Sequence, residues 1–139
     1  MVNASGIEVG LVGRYERTVQ ESDTADAQGN RGVRVLSTPT LILWLECAAN
    51  VATEGRLPAG YGEVGVRIDV RHLGAATVGT RVRCEARLVG AIDGRKLTYL
   101  VKAEDGDGRA LMEGTLERRV VDLARFHERS RHLAARIAK

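Results

Sequence analysis

LSTPTLILWLECAANVAT, residues 36–53, is the stretch that decides how this chain folds. It is apolar all round a helical wheel, and a helix of that kind is buried on most of its sides. Its start is marked by Ser37 or Thr38 as a cap and by Pro39, whose missing N–H costs nothing in a first helical turn. Gly55 and Pro58 supply the stop. Between Arg34 and Glu54 the only charged residue is Glu46.

Upstream, Leu11 to Gln20 reads as a first strand, and the polar, glycine-containing segment from Glu21 to Arg34 reads as a mobile loop. Downstream, four runs alternate with period two: Val64 to Leu73, Thr80 to Ala91, Arg95 to Glu104 and Arg109 to Val121. In the first, Val66, Ile68, Val70 and His72 share one face and Arg67, Asp69 and Arg71 the other. In the next, Val82, Cys84, Ala86 and Leu88 oppose Arg81, Arg83, Glu85 and Arg87, so each strand has one core face and one solvent face. Asp93-Gly94 and Asp105-Gly106-Asp107-Gly108 sit where hairpin turns belong, which makes the last three strands an antiparallel meander. An α+β hotdog fold follows, with a long antiparallel sheet wrapped around a central helix and a helix at the C-terminus. Residues 1–139 form one domain of this kind. Such domains generally pair, and a homodimer with a sheet running across both copies is expected.

Composition narrows the function classes. The five aromatic residues (Tyr15, Trp44, Tyr61, Tyr99 and Phe126) are too few for a base-stacking platform, so no nucleic-acid partner is expected. No segment approaches the roughly 20 apolar residues of a membrane span, and the N-terminus lacks a basic start and an apolar run. A cytoplasmic protein without a membrane partner is the expectation. Cys47 and Cys84 are far apart in sequence and read as buried thiols, with neither a disulfide nor a metal site and no cofactor. The net charge of +3 is concentrated near the C-terminus, where Leu123, Phe126, Leu133 and Ile137 fall near one helical face with Arg125, Arg129 and Arg136 around it. This reads as a docked, solvated helix whose field can also attract a phosphate-bearing substrate.

Three residues stand out chemically. A carboxylate in an apolar helix is tolerated chiefly where it is paired, hydrated or used, which singles out Glu46. Strand alternation turns His72 towards the core near its strand's end, where an imidazole can relay protons near neutral pH. Thr38, at the helix mouth, is either a simple cap or a substrate contact. Eight residues of regular helix separate Thr38 from Glu46 by about 12 Å. A shared site therefore requires Thr38 to precede the first turn, a bent entry, a water link, or a partner subunit's helix. Three motif matches fail their context. Residues 60–65, GYGEVG, satisfy a dinucleotide pattern but precede a strand instead of joining strand to helix. The Asp105–Gly108 run lacks calcium-loop spacing. Asn3-Ala4-Ser5 is a glycosylation sequon without an export signal.

TPTLILWLE (residues 38–46), GVRIDVRH (65–72) followed by LGAATVG, and GTLERRVVDLARF (114–126), in that order, resemble the fluoroacetyl-coenzyme A thioesterases and their hotdog relatives among acyl-CoA hydrolases. The resemblance runs from about Leu11 to Phe126. It implies a threonine, a glutamate and a histidine acting on the thioester, which map onto Thr38, Glu46 and His72, and a substrate-binding backbone glycine, which maps onto Gly65. It also implies a coenzyme A thioester substrate, with an acyl carrier protein thioester as a close variant. One departure concerns the lid before the threonine: it is aromatic in the fluoroacetyl enzyme, whereas Gln28 to Val33 contains no phenylalanine here. Selectivity for a fluorinated two-carbon acyl group is therefore not expected. Two other classes compete. One is a hotdog hydratase or dehydratase, which more often resembles an Asp/His pair on the helix, where this helix offers Glu46 and Asn50. The other is a noncatalytic thioester-binding protein, which would tolerate loss of Glu46.

Overall fold

The computed structural model describes residues 6–138. In chain order it has strand β1 (Val12–Thr18), helix α1 (Thr38–Thr53), strands β2 (Tyr61–His72), β3 (Arg81–Ile92), β4 (Lys96–Asp105) and β5 (Ala110–Asp122), and helix α2 (Leu123–Ile137). The strands form one antiparallel sheet in the order β1-β3-β4-β5-β2. Asp93 (φ 55°) and Gly94 (φ 63°) are both left-handed and turn β3 into β4, the geometry for which Asp-Gly is suited.

Helix α1 begins as its sequence dictates. Ser37 is the cap, its side chain accepting from the Thr40 amide at 3.1 Å, and Thr38 and Pro39 open the first turn. Leu41, Trp44, Leu45, Ala48, Ala49 and Ala52 face the sheet and are buried with Val82, Cys84, Ala86 and Leu88 of β3 and Leu97, Tyr99, Val101 and Ala103 of β4. The small residues have a purpose at β1. A side chain at Gly13 would collide with the backbone of Ala48 and Ala52, so glycine on the strand and alanines on the helix set how closely the two layers approach.

The helix packs chiefly across β1, β3 and β4, however, and meets β2 only through isolated side-chain contacts. Leu43 and Val51 remain 56% and 42% exposed, with Asn50 beside them, so the expectation of a helix buried on most sides fails along this stripe. The inner side of edge strand β2 is uncovered for the same reason, leaving Ile68 and His72 exposed.

The face of β2 also departs from simple alternation. Gly65 pairs with Arg118 and Arg67 with Glu117, so Val66 is the extra residue of a bulge. The bulge reverses parity: Glu63 and Gly65 share the helix-side face with Ile68, Val70 and His72, and Val66 leaves it. The segment from Glu21 to Arg34 is tied down instead of mobile. The Ala25 and Asp26 amides donate to the carbonyls of Val35 and Val33 at 2.9 and 2.7 Å, and the Gln28 amide group donates to Thr40 Oγ1 at 2.7 Å. Helix α2 is capped by Asp122 and leans its first residue, Leu123, on Gly62, but none of its residues is buried. Phe126, Leu133 and Ile137 form an exposed stripe, so the helix is less docked than its pattern implies.

Candidate active site

The three candidate residues occupy two places. At the mouth of α1, Thr38 Oγ1 and His72 Nδ1 are hydrogen-bonded at 2.7 Å across 34 residues of sequence, joining the helix start to the end of β2. Both residues are exposed. Two helical turns further on, Glu46 lies beside Gly65, where a β-carbon would sit 3.4 Å from Glu46 Oε1. Because Thr38 is inside a regular helix, its separation from Glu46 is about 12 Å, and along β2 the run from Gly65 to His72 spans about 20 Å. The chain brings Thr38 to His72 and Glu46 to Gly65, but does not bring the two pairs together.

The Glu46 end has partners that its sequence context concealed. Arg118, 7% exposed on its side chain, reaches from β5 under α1. Its guanidinium donates to the Glu46 carbonyl oxygen at 3.0 Å and to Asn50 Oδ1 at 2.5 Å, and lies 3.7 Å from Glu46 Oε1. On its other side it is 3.6 Å from Glu63 Oε1. Glu63 in turn accepts from the Tyr99 hydroxyl at 2.6 Å and from the Thr53 hydroxyl. Burial, reinforced by Glu63, pushes the Tyr99 phenol well above its usual range, so it stays a donor. A buried guanidinium between two carboxylates is well compensated, apart from Nε, which has no hydrogen-bond partner. Alternation had a signal for Arg118, since Leu116, Arg118 and Val120 share a face. Glu63 had none, because the bulge lies between it and His72.

Glu46 itself receives no side-chain hydrogen bond among the described residues. Its side chain is 30% exposed, so the carboxylate has unoccupied lone pairs on the open side of the helix. A carboxylate so placed can accept a proton or attack, whereas Glu63, 6% exposed and hydrogen-bonded, is fixed as a counter-charge. Of the two cysteines expected to be buried, Cys84 is buried and Cys47 only half-buried; burial, with Cys47 a lesser cause, pushes the Cys84 thiol up to about 12 and keeps it protonated. Among the described residues no group of His, Cys, Asp or Glu has metal-site geometry, and no helix is long and apolar enough to cross a membrane. The basic C-terminal residues are elsewhere: Arg119, Arg125 and Arg129 line an open groove of about 600 Å³ between α2 and β2–β5, with Val64, Phe126 and Leu133.

A single antiparallel sheet laid on one long helix is the hotdog arrangement, a class to which thioesterases belong. The sequence matches the family of fluoroacetyl-CoA-specific thioesterases over residues 19–124, and the chain belongs to that family. It is thereby a hydrolase of thioester bonds. Among solved structures, the fluoroacetyl-CoA thioesterase FlK is similar with a TM-score of 0.82 and 27% identity, covering 91% of this chain and 96% of that one. A thioesterase superfamily member from Thermus thermophilus is similar with a TM-score of 0.87 and 25% identity, covering 95% and 96%. A hot-dog-like protein from Thermanaerovibrio acidaminovorans gives 0.82 and 26%, covering 92% and 93%. No curated protein matches the sequence.

Proposed function

We propose that this protein hydrolyses acyl-CoA thioesters as a homodimer in which each site combines Thr38 and His72 of one copy with Glu46 and Gly65 of the other. The observation that carries this reading is the division of the candidate residues. A helix and a strand hold the two pairs too far apart to meet on one thioester within a single chain, yet both face the same uncovered side. Strand β2 is an edge with open backbone groups, flanked by exposed Leu43 and Val51 of α1 and Ile68 of its own inner face. Antiparallel pairing of β2 with its copy, centred on Asp69 and with the bulge at Val66 taking up the extra residue in each strand, brings His72 of one chain alongside the partner's Gly65. It also continues the sheet and covers those side chains.

In that arrangement Glu46 takes a proton from the water whose oxygen bonds to the thioester carbonyl carbon as the C–S bond breaks, and Gly65 leaves room beside it. The Thr38–His72 pair orients the acyl end and moves a proton to the departing thiolate. Coenzyme A as the thiol is supported by FlK, variants of which have been solved with acetyl-CoA and with fluoroacetate and CoA. The absence of aromatic side chains from Gln28 to Val33 supports a substrate broader than fluoroacetyl.

The test is release of free thiol from a panel of acyl-CoA thioesters. The wild-type protein turns over at least one of them, and Glu46→Gln and His72→Ala each lower kcat by about 10²–10⁴-fold, the range for removal of a proton-transfer group. Folded variants with near-normal turnover would remove both residues from the mechanism. Hydration of an enoyl-CoA without thiol release would transfer the site to the hydratases.

A further inference from the structure

Two carboxylates share Arg118, and they are differently placed. Glu46 meets only the guanidinium and is open on its other side, whereas Glu63 is enclosed and holds hydrogen bonds from Tyr99 of β4 and Thr53 of α1. The Arg118 guanidinium also lies over the Tyr99 ring, 5.9 Å from its centroid. The fold therefore supplies a second acid that never faces the open side, and spends a buried tyrosine and a buried threonine on fixing its two oxygens. A guanidinium serving Glu46 alone would hold that carboxylate equally firmly, but with its full charge.

We propose that Glu63 is a positioning residue for Glu46, dividing the charge of Arg118 between two carboxylates so that Glu46 is held in place without taking the whole of the guanidinium. This rests on the role given to Glu46 above. The groups that set the balance are Arg118 of β5, Glu63 of β2, Tyr99 of β4, and Asn50 and Thr53 of α1. Tyr99 is the fine control. Its hydroxyl stabilises Glu63 independently of the arginine and leaves more of the guanidinium for Glu46.

The two ends of this chain of contacts give opposite outcomes. Glu63→Gln keeps the side-chain size and an acceptor for the hydroxyls but removes the competing charge. Arg118 then acts undivided on Glu46, the acidic limb of the kcat–pH profile moves down by about one unit, and kcat falls about three- to tenfold with KM unchanged. Tyr99→Phe keeps the ring, makes Glu63 lean harder on Arg118, and moves the same limb up. A carboxyl carbon-13 titration of Glu46 in the same variants must move in the same directions, and it reads the charge division even if no thioester is hydrolysed. A hydrolysis-negative protein whose Glu46 titration still moves in opposite senses therefore overturns the reaction and keeps the positioning role. If Glu63→Gln does not fold, an upward movement in Tyr99→Phe supports the proposal. Unmoved profiles, or movement of both variants in one direction, overturn it.

Discussion

The two ends of the site are built in contrasting ways from the same helix and strand. At the mouth of α1, Thr38 and His72 meet through a single 2.7 Å hydrogen bond and are otherwise open. At the Glu46 end, a buried arginine, a second carboxylate, an amide and two hydroxyls form a continuous network beneath the helix. The difference follows from what covers each end. Arg118 and Glu63 lie between α1 and the sheet, where every polar group needs a partner from its own chain. Thr38 and His72 stand where α1 no longer overlies β2, so their remaining partners must come from substrate or from a second chain. On the proposed reading, one end is a matter of folding and the other of assembly.

Stability should separate the two ends most sharply. Arg118→Ala leaves Glu63 as a buried charge without its cation and should cost about 3–5 kcal/mol, as loss of one member of a buried pair does. His72→Ala removes an exposed side chain and should stay within about 0.5 kcal/mol of wild type while abolishing most turnover. Chemical denaturation of the two variants checks this. Equal losses would mean that the mouth of the helix is as much a part of the core as its middle.

A smaller effect concerns the acyl group at the open end. The segment from Gln28 to Val33 is held by backbone bonds and by Gln28, yet it carries no ring to enclose a two-carbon chain. The ratio of kcat/KM for fluoroacetyl-CoA over acetyl-CoA should be below about 10, and butyryl-CoA should be accepted, because a pocket without shape constraints discriminates weakly. A preference of several orders of magnitude would locate the selectivity outside this segment.

These contrasts also explain what could be read from the sequence. Helix α1, the β3–β5 meander and the hairpin at Asp93-Gly94 were legible because local periodicity and turn chemistry determine them. As candidates, Glu46 stands out because it is the one charge in an apolar helix, and His72 because it ends an alternating run. Arg118 shares a face with Leu116 and Val120, but its neighbours Glu117 and Arg119 make three charges in a row and mask that signal. Glu63 was lost to the bulge at Val66, which reverses the face of everything before it and which no propensity announces. The uncovered stripe of α1 was misread for another reason: an apolar helix surface looks the same in sequence whether its own sheet or a second chain will cover it.

Mixing two inactive variants tests the assembly most directly. Glu46→Gln and His72→Ala proteins, each nearly inactive alone, are unfolded together, refolded at equal concentration and assayed for thiol release. Half of the randomly formed dimers are mixed, and each of these carries one site with both native residues and one with neither. The account predicts recovery of about a quarter of wild-type activity. Mixed dimers that form, as seen by mass spectrometry, but show no activity above the separate variants would contradict a site shared between two chains.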